Sequence, residues 1–173
     1  AVDAVPGDGR CDASAAAAGD QCTLRAAVME ANALGGSHTI VLPAGTYTLA
    51  IPGTDENFAA TGDLDLRTHI AIQGAGAAVT IIDGGGLDRV FDIPIATPQC
   101  SVKDVTITGG LVTNEGGGGV RSYGVVALQR CIIRGNRSGG DTSSATGGGV
   151  SAENNSLLAL NTCEVSGNSA YRG

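Results

Sequence analysis

Aromatic residues make up only 3% of this 173-residue chain and tryptophan is absent. A site built from stacked rings, of the kind that grips single-stranded nucleic acid, is therefore not expected. Basic residues are in the minority: 10 Lys and Arg stand against 17 Asp and Glu, a formal charge of −7. Binding to phosphate backbones needs clustered cations, so nucleic acid is excluded as a partner. An anionic membrane surface is excluded on the same ground. No apolar run approaches the roughly 18 residues of a membrane-spanning helix, so membrane insertion by this segment is not expected. No basic stretch leading into an apolar one opens the chain, so no signal peptide is visible. Proline occurs only 5 times, which argues against a Pro-rich disordered tract.

Glycine is abundant, with 28 residues, and it does not recur at every third position, so collagen is excluded. Apolar residues are 42% of the chain, enough for one sizeable core. Cysteine occurs 5 times, an odd number that leaves at least one thiol unpaired.

Residues 1–22 are small, polar and turn-rich. The spacing of Leu24, Ala27, Val28, Ala31 and Leu34 predicts one amphipathic helix, with Thr23 as N-cap and Gly35-Gly36 as its stop. Arg25 and Glu30 fall off that apolar stripe. Beyond Gly36 the period changes to two. Strands are expected over His38–Leu42 and Thr46–Leu49, a loop over 52–62, and an alternating strand at Asp63-Leu64-Asp65-Leu66.

The chain then repeats itself. Val102 to Gly110, Leu128 to Asn136 and Leu160 to Asn168 align, with Cys131 following Val105 by 26 positions and Cys163 following Cys131 by 32. Gly118-Gly119-Val120 recurs as Gly148-Gly149-Val150. Such a period, carried by short strands and glycine turns, predicts a parallel β-solenoid of roughly 4–6 coils stacked about 4.8 Å apart. Three inward ladders are expected: Val105, Cys131 and Cys163; Ile107, Ile133 and Val165; Val102, Leu128 and Leu160. Cys100 joins Val126 and Leu158 in a further one. Gly109, Gly135 and Gly167 should turn a shared corner with positive φ. Residues 1–36 would form an N-terminal cap and residues 37–173 the coils. The last repeat-like segment, Ser166 to Ala170, has no closing element after it. The expectation is a truncated solenoid, or one that stacks end to end with a copy of itself.

Cys22-Thr23-Leu24-Arg25-Ala26-Ala27-Val28, with Glu30-Ala31-Asn32-Ala33, resembles the N-terminal CSLREA-type segment of secreted bacterial right-handed β-helix proteins. Ile40 to Tyr47, Gly62 to Leu66 and Thr80 to Gly86 are similar to segments that follow it in that family, in the same order. The Gly-Gly-Gly-Val and Ser-Gly-Asn-Ser-Ala pieces look like coils of polymorphic outer-membrane-protein passengers. Ala26 departs from the motif, which has Glu there. The resemblance implies an all-β, right-handed parallel β-helix of the pectate-lyase-like type with a capping helix. It further implies a secreted or cell-surface location, an adhesive or structural role, and no shared catalytic residue set.

Cys11 and Cys22 read as a disulfide closing a short loop; a reactive or metal-binding thiol pair is the alternative, and no neighbouring Cys or His completes a zinc set. Cys100, Cys131 and Cys163 read as core thiols, with a bond between Cys131 and Cys163 left open. Asp63 and Asp65, on one face of a strand, are calcium candidates; the alternative is a solvated polar face. No other cofactor or metal is indicated. Asp83, Asp88, Arg89 and Asp92 gather around the Gly84-Gly85-Gly86 turn and are the candidates for acid–base work on a polysaccharide, although no adjacent carboxylate pair is present; the alternative is turn chemistry and corner salt bridges. His38 and His69 are isolated, and the 116–119 glycine run lacks the Lys-Ser/Thr of a phosphate loop. The leading expectation is a non-catalytic stalk, adhesin or passenger module displaying the 52–62 and 137–147 loops, with glycans, a host surface or its own copies as partners. The alternative is a carbohydrate-active lyase or glycosidase with an acid-lined groove along one sheet.

Overall fold

The computed structural model describes residues 1–12, 14, 21–94, 99–140 and 146–172. One helix, α1 (Leu24–Leu34), precedes an all-parallel β-solenoid of about four turns. Coil 1 consists of β1 (Ser37–Leu42), β2 (Gly45–Thr48) and, after a long loop, β3 (Leu64–Asp65). Coil 2 repeats this with β4 (His69–Gly74), β5 (Thr80–Asp83) and β6 (Phe91–Ile93). Coil 3 adds a fourth wall: β7 (Gln99–Lys103), β8 (Thr106–Thr108), β9 (Leu111–Thr113) and β10 (Val120–Ser122). Coil 4 follows the same plan through β11 (Val125–Gln129), β12 (Ile132–Arg134), β13 (Arg137–Gly140) and β14 (Val150–Ala152). β15 (Leu157–Asn161), β16 (Glu164–Ser166) and β17 (Ser169–Arg172) begin the next coil.

Each wall is one sheet running along the axis: β1-β4-β7-β11-β15, β2-β5-β8-β12-β16, β3-β6-β10-β14 and β9-β13-β17. The predicted ladders are present. Val102 pairs with Leu128 and Leu128 with Leu160; Cys100 pairs with Val126 and Val126 with Leu158. Ile107, Ile133 and Val165 form one file. Val105, Cys131 and Cys163 occupy equivalent positions, linked by the backbone bonds Ile132 N to Val105 O and Glu164 N to Cys131 O. Cys100 and Cys131 are buried free thiols, and Cys163 is a half-buried free thiol packed on the core.

Two corners show why the sequence turns where it does. Gly109, Gly135 and Gly167 have φ of 69°, 66° and 61°, the left-handed region that glycine enters at no steric cost. At the preceding corner Asp104, Arg130 and Thr162 take the same conformation, and Asp104 and Arg130 pair across adjacent coils at 2.6 Å. Asn136 lines the first of these corners inside the wall. Its side chain accepts from Gly110 N and donates to Ile107 O and to Asn168 Oδ1, and Asn168 repeats the bond one coil on, to Ile133 O.

Helix α1 closes the first coil, as its stripe predicts: Leu24, Val28 and Ala31 join the core, while Leu34 remains exposed. Arg25 and Glu30, off the apolar stripe, are nevertheless buried. Arg25 donates to Ala59 O and Asp63 O at 2.7 and 2.8 Å, and to the carbonyls of Thr61 and Gly62. Glu30 receives Gly7 N and Gly9 N, so it fastens the N-terminal segment to the cap. Cys11 and Cys22 form the expected disulfide. The 137–147 loop requires correction: Arg137–Gly140 is strand β13, because its backbone pairs with β9 and β17, and residues 141–145 lie outside the described residues.

Candidate functional site

The β3-β6-β10 wall positions the charged groups. Leu64 pairs with Phe91 and Phe91 with Val120, so these apolar side chains form an inward file. The next residue on each strand faces the opposite way: Asp65 pairs with Asp92, and Asp92 with Arg121. This outer file would ordinarily be solvated. Here the 52–62 loop folds over it, and Asp65 Oδ2 accepts Ala59 N at 2.7 Å. Asp63, Asp65 and Asp92 are 3%, 0% and 1% exposed, which rules out the solvated polar face.

A cleft of about 500 Å³ lies between the 54–57 segment, the 86–89 turn, β9 and Glu115, with Asp63, Arg89 and Arg121 lining its inner side. Arg89 is the hub. Its Nη1 lies 3.4 Å from Asp63 Oδ2 and 3.7 Å from Asp92 Oδ2, while its Nη2 is bonded to Glu115 Oε2. Arg121 grips Asp92 with two bonds, Nη2 to Oδ2 at 2.7 Å and Nε to Oδ1 at 3.1 Å, and also reaches Glu115. Burial pulls the Arg121 guanidinium down, but its bonds to Asp92 and the nearby Glu115 charge more than reverse that and keep it charged.

The carboxyls respond in the other direction. Burial, then the neighbouring Asp65 and Asp88 charges, push Asp63 up from 3.8 to about 9 despite Arg89. Burial, with Asp92 and Glu56 adding, pushes Asp65 to about 7 even though Ala59 N stabilises its anion. Burial also raises Asp88. The arrangement therefore offers a carboxylic acid kept protonated at neutral pH, further carboxyls beside it and two guanidiniums, which suits proton transfer or the binding of an oxygen-seeking cation.

Of the sequence candidates, Asp88, Arg89 and Asp92 meet Asp63 and Asp65 here. Asp83 does not. It lies on β5 in another wall, and its Oδ1 accepts Gly85 N in the turn. Glu115, Arg121 and Arg25 were not singled out from sequence. The rung that joins Asp92 to Arg121 would have exposed Arg121, but Arg89-Val90-Phe91 lacks the glycine pair that marks the equivalent positions on the later coils. His38 and His69 are absent from the cluster; His69 Nδ1 accepts Gln99 N at 3.0 Å. Asp63, Asp65 and Asp92 form a group able to surround a cation, each contributing an oxygen with all three atoms within 4.8 Å of one another. No family model, no curated protein and no solved structure matches this chain.

Proposed function

We propose that this domain is a non-catalytic, secreted or cell-surface β-solenoid module that acts as a rigid stalk, adhesin or passenger unit. The observation that carries the proposal is the set of apolar files along three of the four walls, which fixes loops at set heights along a stiff axis. The Cys11–Cys22 disulfide supports an oxidising compartment, and so does the resemblance to secreted β-helix proteins. Glycans or a host surface are the partners such a display would meet. A panel of immobilised glycans and host-cell surfaces tests this: retention is expected, and failure to bind any would defeat the adhesive role.

A second reading is favoured by one observation, the acid-lined cleft, with Glu115 half-exposed at its edge and Asp88, Arg89 and protonated Asp63 buried along its inner side. On that reading the domain acts on polysaccharide as a lyase or glycosidase, with Asp63 as acid and Asp88 or Glu115 as the base. Arg89 and Arg121 would orient the sugar. Neutral glycans and uronates separate the readings: growth of absorbance near 235 nm, or release of reducing ends, lost in Asp88→Ala, would replace the first reading by the second.

A further inference from the structure

Two facts about the carboxylate group beneath the 52–62 loop are not accounted for by hydrogen bonds within the protein. Asp65 Oδ1 is buried with no hydrogen-bond partner, while its other oxygen holds Ala59 N. A buried carboxylate oxygen with no donor is expensive unless something else meets it. Arg89 does not meet the need. Its separations of 3.4 and 3.7 Å from Asp63 and Asp92 exceed the ~2.8 Å of a strong charged hydrogen bond. Its short bond goes to Glu115 instead, and its Nε is itself unpartnered.

The side chains around this group are also mostly acidic. The carboxyls of Asp63, Asp65, Asp88, Asp92, Glu56 and Glu115 outnumber the guanidiniums of Arg25, Arg67, Arg89 and Arg121 by two. Three of those carboxyls come from two successive coils, and one oxygen of each lies within 4.8 Å of the others. An all-oxygen donor set of that size suits a hard divalent ion, and calcium tolerates its irregular shape better than magnesium.

We infer that Asp63, Asp65 and Asp92 hold one calcium ion between the first two coils, and that the 52–62 loop closes over it. The ion supplies a partner for Asp65 Oδ1. Asp92 keeps its bonds to Arg121, because a carboxylate offers about four acceptor directions. This site is structural and does not depend on the cleft being catalytic: it ties the loop to the wall from within.

Titration calorimetry with calcium chloride on EGTA-stripped full chain tests the inference. One ion per chain is expected, with proton release on binding, measured by repeating the titration in two buffers of different ionisation enthalpy. The melting temperature should rise with calcium. Asp65→Asn should weaken binding by at least about tenfold, and Glu164→Gln, on the exposed last coil, should leave it unchanged. The inference is overturned by an absence of binding heat and melting shift, or by unchanged affinity in Asp65→Asn. Loss of binding in Asp55→Asn with retention in Asp65→Asn would also overturn it, by placing the ion in the open cleft. Should Asp65→Asn fail to fold, Asp63→Asn decides: unchanged calcium affinity in it means that the buried carboxyls are not the ligands.

Discussion

The buried carboxyls make stability depend on pH in a direction opposite to that of an ordinary acidic protein. Asp63 shifts from 3.8 to about 9 and Asp65 to about 7 on folding. The native state therefore holds protons that the unfolded chain releases, and stability falls as pH rises. For Asp65 the stabilisation is complete below its unfolded value near 4 and lost as pH rises to about 7; for Asp63 the window extends to about 9. Within it each group contributes a slope of about 1.4 kcal/mol per pH unit. From pH 5 to 7 the two together remove about 5 kcal/mol, a large share of the 5–15 kcal/mol typical of a domain. Asp88 and Asp3 are also raised, by burial, and add in the same sense. Half-buried Asp104, lowered by its bond to Arg130, acts in the opposite sense, but only in the acid range below this window. Urea unfolding followed by far-UV ellipticity at intervals from pH 5 to 8, in EGTA, should show the midpoint falling steadily. Asp63→Asn should remove about half of the slope, because the amide has no proton to lose. A midpoint that is flat or rising from pH 5 to 7, or an unchanged slope in Asp63→Asn, would refute the buried-acid argument. Calcium at saturation should flatten the profile, since ion-bound carboxylates are ionised throughout.

The cap and the ladders give further tests. Arg25→Met leaves the carbonyls of Ala59, Thr61, Gly62 and Asp63 without their shared donor, and should destabilise by about 3–5 kcal/mol by chemical denaturation. Ile133→Ala, in a fully buried rung, should cost about 2–5 kcal/mol, whereas Val165→Ala, 48% exposed in the same file, should cost well under 1 kcal/mol; comparable losses would mean that the last coil is covered. Gly110→Ala should abolish folding, seen as loss of the β-sheet ellipticity, because the added methyl would stand 1.8 Å from Gly118 O, a backbone atom that cannot swing aside. Removing the Cys11–Cys22 bond by substitution of both residues should cost about 2–3 kcal/mol of cap stability and leave the coils stacked.

The contrast between ladder and site shows what a sequence of this kind discloses. Val105, Cys131 and Cys163 could be assigned to one file because each coil writes the same alternation between the same glycine corners, and parallel stacking turns sequence register directly into spatial register. The charged site breaks that condition twice. Period-two alternation correctly sets Asp65 on the face opposite Leu64, where Asp92 pairs with it, but alternation speaks only of the two sides of a wall. Whether the outer side is wet depends on the 52–62 loop, whose path is fixed by long-range bonds: Ala59 N to Asp65 and Arg25 from the helix to Ala59, Gly62 and Asp63. Arg25 itself sits off the apolar stripe, and a helical wheel cannot distinguish a solvated arginine from one that threads a ring of carbonyls. Asp83 misled for the complementary reason: nearness in sequence to Asp88 and Asp92 spans a corner of the coil, and in a solenoid residues on either side of a corner belong to different walls, while Asp92 and Arg121, 29 positions apart, share a rung. Function written along the axis is thus invisible to any reading that searches for motifs within one coil, and becomes legible only once the register between coils is known.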